Sequence, residues 1–154
     1  MLYTKLGNTT YVSINESGRT QVYSAFDIDG NQWITSGSTS YDLLKSDGQH
    51  LIGTGRGIVE WINPSQRRIV ATLRLEFPVR YIFFEDEHTY LVGDGKVWLV
   101  KDMRVIKEMD IAPYEDVTQS LSERALIFRE IDKDQSYAVS VVDGSYSTTA
   151  KSEG

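Results

Sequence analysis

The 154-residue chain contains no cysteine, only two histidines and three prolines. Without cysteine there is no disulfide framework, no thiolate metal site and no cysteine nucleophile. His50 and His88 stand at no spacing, from each other or from carboxylates, that a metal cage uses, so no metal is expected. No apolar stretch approaches the roughly 18 residues of a membrane-spanning helix, and Met1-Leu-Tyr-Thr-Lys5 does not open a secretory signal. A cytoplasmic protein with no membrane association is expected. Nucleotide and hydrolase motifs are missing as well. Gly53-Thr-Gly-Arg-Gly57 lacks the Gly-Lys-Ser/Thr ending of a phosphate loop, and no Gly-x-Ser-x-Gly elbow occurs. Asp27-Ile-Asp-Gly-Asn31 begins like a calcium loop, but its glycine comes too early and no glutamate follows at the twelfth position. The residues therefore point to no catalytic group and no cofactor, and the chain is read as a binding protein rather than an enzyme.

What the chain does have is apolar and aromatic: 40% hydrophobic residues, with three Trp, nine Tyr and five Phe, enough for a core. Short β-branched, aromatic or alternating runs recur at 11–14, 21–26, 32–35, 51–52, 57–62, 68–73, 81–84, 89–92, 96–100, 105–109, 126–131 and 136–142. Asp29-Gly30, Asp47-Gly48, Asp94-Gly95 and Asp143-Gly144 supply turns between them. One exception is Ser120-Leu-Ser-Glu123, which has the spacing of a capping box and predicts a helical turn within 116–124. The expected class is all-β: one domain over 1–143 and a polar, disordered tail over 144–154.

An internal repeat sets the architecture. A shift of 40 residues puts Tyr41 on Tyr81, Leu43-Leu44 on Phe83-Phe84, Leu51-Ile52-Gly53 on Leu91-Val92-Gly93 and Gly55-Arg56 on Gly95-Lys96. A further shift of 35 puts Ile82 on Val117 and Leu91-Val92 on Leu126-Ile127. Units of about 35–40 residues with some four strands each are the signature of propeller blades. Three to four such units predict an open, partial β-propeller or a curved antiparallel meander. Its uncovered sheet edges are compatible with a monomer or a weak dimer.

Asp27-Ile-Asp-Gly-Asn-Gln-Trp-Ile-Thr-Ser-Gly37 resembles the Asp-Gly-x-x-Trp-Ile-x-Thr pattern of the propeller repeats of two-component regulators. Ser46-Asp-Gly-Gln-His-Leu51 repeats it with leucine in the tryptophan place, and the likeness covers residues 25–111. Asp29-Gly30 precedes Asp47-Gly48 by only 18 residues, half a blade, so the first unit is expected to be incomplete or folded differently. The resemblance implies stacked blades, with Trp33 in the core.

Charge is divided unevenly. From 1 to 78 seven Lys/Arg balance seven Asp/Glu, whereas from 79 to 154 nine Lys/Arg face fifteen Asp/Glu, so the whole excess of −6 lies in the second half. Such a surface repels phosphate backbones, which argues against nucleic-acid binding, and attracts basic partners. Turns after the first strand of each unit carry Asp47, then Glu85-Asp86-Glu87, then Glu123, and are expected to share one rim, with His88 and Tyr90 adding contact area. The opposite rim is expected to gather Asp94, Glu115-Asp116, Asp132 and Asp134. A small, acidic, cysteine-free domain without a catalytic set is similar to the immunity proteins of contact-dependent growth inhibition. That likeness implies a cognate toxin domain as partner, a basic nuclease whose cleft the acidic loops cover. A ligand-binding or hydrolytic propeller fragment, or a structural module of a sensor, are the alternatives.

Overall fold

The computed structural model describes residues 1–25, 33–34, 39–131, 135–140 and 146–150. These form sixteen strands in four antiparallel four-stranded sheets, each a meander in chain order, and no helix occurs among the described residues. The chain divides into two compact units, Met1–Tyr81 and Ile82–Gly154.

The first unit holds two sheets. One comprises β1 (Leu2–Leu6), β2 (Thr9–Glu16), β3 (Arg19–Ser24) and β4 (Trp33–Ile34); the other comprises β5 (Leu43–Ser46), β6 (Leu51–Gly55), β7 (Ile58–Asn63) and β8 (Arg68–Arg74). Their shared core is Val22, Tyr41, Leu44, Leu51 and Ile62, with Leu2, Leu6, Tyr11 and Ile69 packed against it. The link between the sheets is held by side chains. Asn15 donates from Nδ2 to the Tyr41 carbonyl at 2.9 Å and accepts from the Tyr41 amide at 3.2 Å, while the Thr20 hydroxyl accepts from that same amide at 2.8 Å. The Tyr41 ring then seats on Gly53, where any Cβ would collide with it, and its hydroxyl donates to Glu60 Oε1 at 2.9 Å. Glu60 is buried in the middle strand of a sheet, a position that a carboxylate occupies only with hydrogen-bond partners.

The second unit holds the sheet of β9 (Tyr81–Glu85), β10 (His88–Val92), β11 (Lys96–Lys101) and β12 (Arg104–Asp110). It also holds the sheet of β13 (Tyr114–Ser120), β14 (Ala125–Glu130), β15 (Gln135–Ser140) and β16 (Tyr146–Ala150). Tyr90, Val92, Val97 and Leu99 from one sheet meet Val117, Leu126, Phe128, Tyr137 and Val139 from the other. Phe128 stacks on Tyr137 at 4.9 Å and receives the edge of Tyr114 at 5.1 Å; the Tyr137 hydroxyl is satisfied by the Ala112 carbonyl at 2.6 Å.

The repeat is real, but its step between the second and third sheets is 38 residues rather than 40. A step of 38 sets Ile58–Asn63 against Lys96–Lys101, with the same burial pattern, and Tyr41 and Leu44 against Val79 and Ile82, all buried. Tyr41 and Tyr81 are therefore not equivalent: the first is core, the second exposed. The extra two residues came from matching Gly55 with Gly95, whereas Arg56-Gly57 and Asp94-Gly95 are the corresponding two-residue turns. The shift of 35 places Ile82 on Val117, both buried in first strands, as expected.

Two further expectations are corrected. Residues 116–120 are strand, not helix. Ser120 Oγ does accept the Glu123 amide at 3.3 Å, but within a four-residue hairpin turn that Arg124 closes at positive φ. Residues 146–150, read as part of a tail, form β16 on β15. An unanticipated β1 (Leu2–Leu6) pairs with β2, and of the stretch 25–37 expected to begin an incomplete or differently folded unit only Ala25 and the two residues of β4 are described. The Asp29-Gly30 and Asp143-Gly144 turns and the 27–31 loop lie outside the described residues.

Candidate protein-interaction site

The second unit presents two ends. At the first, the β9–β10 and β13–β14 turns come together, as their places in the repeat require. Arg124 Nε lies 2.9 Å from Glu85 Oε1, and Arg124 Nη2 lies 2.7 Å from Asp86 Oδ2. The hydrogen bond with Glu85, reinforced by the charges of Glu85 and Asp86, pushes the Arg124 guanidinium above its ordinary value against an opposing effect of desolvation. Lys101 Nζ stands 3.4 Å from Glu87. The densest acidic run is thus matched by two cations, and Glu85, with only 15% of its side chain exposed, is turned towards Arg124. Glu123 is exposed and His88 half-buried. Tyr90 offers no contact area, because it lies wholly in the core of the unit; strand alternation puts it on the inner face. Asp47, in the first unit, has a structural role. Its Oδ1 accepts the amides of Gln49 and His50 at 2.9 and 2.6 Å, which fixes the β5–β6 turn, and Oδ2 lies 3.7 Å from His50 Nδ1.

At the opposite end, the Tyr114 hydroxyl donates to the Gly93 carbonyl at 2.8 Å and ties the start of β13 to the β10–β11 turn. This brings Asp94 to the same end as Glu115 and Asp116, the grouping expected from the repeat. Asp132 and Asp134 lie outside the described residues. Two acids join that were not anticipated. The β11–β12 register sets Lys96 opposite Asp110 and Trp98 opposite Glu108, so both carboxylates approach Lys96, at 3.7 and 3.5 Å. That pairing was readable once Asp102-Met103 is taken as a two-residue turn, which both residues make with positive φ. Glu115 occupies a bulge in β13 and pairs with Arg129 at 3.1 Å. Asp94, Glu108, Asp110, Glu115 and Asp116 thus share one end with two cations, Lys96 and Arg129, and Asp110 is 91% exposed.

Among the described residues no three His, Asp or Glu converge as a metal cage, and no helix is long and apolar enough to cross a membrane. Burial pushes the Asp42 carboxyl above its ordinary value.

No protein-family model matches the chain, and no curated protein sequence matches it. Solved structures do. Hsv2 of Kluyveromyces lactis matches with a TM-score of 0.58 and 9% identity, over 99% of this chain and 49% of that one. A chain of a mitotic checkpoint complex matches with a TM-score of 0.68 and 12% identity, over 96% of this chain and 51% of that one. The chain spans about half the length of these structures. They are β-propeller proteins, and the likeness fixes the fold: this chain is all-β, a partial β-propeller of four blade-like sheets.

Proposed function

We propose that the chain is a protein-binding propeller-type domain that takes a basic partner at the Asp94–Asp116 end of its second unit and catalyses no reaction. The observation that carries this reading is the gathering, among the described residues, of Asp94, Glu108, Asp110, Glu115 and Asp116 at one end, with Lys96 and Arg129 paired to three of them. A surface of that sign raises encounter rates with a basic partner and repels nucleic acid. One structural neighbour is a subunit of a multiprotein complex, which agrees with a propeller used as an interaction platform. The finer reading is an immunity protein: in the cytoplasm the acidic end covers the cleft of a cognate toxin domain, a nuclease whose active site must be basic to hold its substrate.

The test is affinity capture from the native host, followed by association kinetics with the purified partner. A basic nuclease domain recovered stoichiometrically, with an on-rate that falls with salt and is slowed by Asp94→Lys combined with Asp116→Lys, supports the proposal. A partner whose on-rate ignores both salt and the double substitution overturns it.

A further inference from the structure

β8 ends its sheet as an edge strand, so half of its backbone groups have no partner strand. Which half follows from the register. The Arg56-Gly57 turn, with both residues at positive φ, makes Gly55 and Ile58 a hydrogen-bonded pair. Ile58, Glu60 and Ile62 therefore bond towards β6, and Val59 and Trp61 towards β8, where Leu73 and Ala71 answer them. The Gly57 carbonyl accepts the Leu75 amide at 2.7 Å and continues the alternation. The amides and carbonyls of Thr72 and Arg74 thus point away from the sheet. Both residues are exposed, and among the described residues no strand pairs with that side of β8. A bulge falls at Val70 and leaves 71–74 regular. The edge strand β12 carries the same bulge, yet differs where it counts. Trp98 faces Glu108 as Glu60 faces Thr72, and Lys96 faces Asp110 as Ile58 faces Arg74. Carboxylates therefore guard the β12 edge at the positions that Thr72 and Arg74 hold in β8. Ile69–Leu73 contains no charge, proline or glycine.

We propose that β8 is a docking edge that takes an extended, acidic segment of a partner protein as an added strand. The backbone groups of Thr72 and Arg74 supply the hydrogen bonds, and charge selects the occupant. Between Trp61 and Leu75 the chain has Arg67, Arg68 and Arg74 and no Asp or Glu. Arg68 Nε donates to the neutral Gln66 Oε1 at 2.9 Å, which leaves its charge in place. Arg68 and Arg74 stand at the two ends of the strand and both are exposed. A segment with a carboxylate at each end and uncharged, β-branched residues between them meets both arginines while its backbone follows the edge. The same arginines turn away a second copy of this chain: antiparallel pairing of two β8 strands would bring Arg68 of each towards Arg74 of the other, like charge on like.

Fluorescence anisotropy on the full chain with a labelled, end-capped peptide, Asp-Thr-Val-Thr-Val-Thr-Asp, tests this. The probe is opposite in sign to the basic partner proposed for the Asp94–Asp116 end, so either reading can fail alone. Saturable binding is expected, with the Thr72 and Arg74 amides newly protected from hydrogen exchange. Two peptides N-methylated at alternate residues, one at the odd and one at the even positions, should separate. The set whose amides face β8 should bind about tenfold more weakly or worse, and the other should still bind. Thr72→Pro removes an amide that makes no bond to β7, so binding should be lost while circular dichroism stays unchanged. Independently of that variant, Arg68→Glu with Arg74→Glu should weaken the Asp-ended peptide severalfold and favour a Lys-ended one. No saturable binding up to millimolar peptide, equal binding of both N-methylated peptides, or binding indifferent to the arginine reversal overturns the proposal.

Discussion

Tyr41 concentrates much of the physics of the first unit in one side chain. Its backbone is gripped by Asn15 and Thr20, its ring needs the missing Cβ of Gly53, and its hydroxyl serves the buried Glu60. Gly53→Ala is expected to cost about 1–3 kcal/mol by overpacking, and Tyr41→Phe about 1–3 kcal/mol by taking a partner from a buried polar group. Urea denaturation should show both as lower midpoints with little change in slope. Asp42 makes a different, pH-dependent prediction. Burial holds its pKa above the ordinary value, against a backbone hydrogen bond and the charge of Arg80. The folded protein therefore binds this proton more tightly than the unfolded chain, so the ionised group costs stability at neutral pH. The cost fades as pH falls through the raised pKa. Asp42→Asn should melt at a higher temperature than the parent at pH 7, and the gap should close on acidification to about pH 3. A gap that widens in acid would refute the assignment.

At the level of strands, most of the fold was legible because each run had its own period and its own turn. The central strands β6, β7, β10 and β11 were found from apolar density alone, and within the second unit the β9–β10 and β13–β14 turns meet through Arg124. Four elements escaped; β5 did because only Leu43 and Leu44 in it are apolar, and the other three have reasons of their own. β13 reads Tyr-Glu-Asp-Val-Thr-Gln-Ser and buries chiefly Val117, so its alternation is masked by charge. β1 is a short edge strand next to Met1. β16 is Tyr-Ser-Thr-Thr-Ala, polar enough to pass for a tail, and its backbone pairing with Gln135–Ser140 is invisible to composition. The counter-cations of the site escaped too, since Arg124 and Glu85 are 39 residues apart and meet only through sheet packing. Removing residues 144–154 provides the corresponding test. A true tail would be dispensable, whereas loss of β16 exposes the edge of β15. The truncated protein should therefore lose amide exchange protection in β14 and β15 while β2, β3, β6 and β7 keep theirs.

Over the whole molecule, the sequence locates the acidic excess in the second half, but only side-chain geometry shows which acids and cations meet. Glu85, Asp86 and Glu87 look the most attractive to a basic partner and are answered by Arg124 and Lys101. The Asp94 end looks diffuse along the chain and becomes dense only once β12 and β13 deliver Asp110 and Glu115 to it. An oligolysine peptide can separate these two contributions without the natural partner. The parent should bind it weakly, with an affinity that falls as salt rises. Asp94→Lys with Asp110→Lys should abolish most of that binding. Arg124→Ala should strengthen it by releasing Glu85 and Asp86, at a stability cost of no more than about 1 kcal/mol for exposed pairs. If Arg124→Ala left peptide binding unchanged, the arginine would not be what silences the first rim, and the preference for the Asp94 end would lose its electrostatic basis.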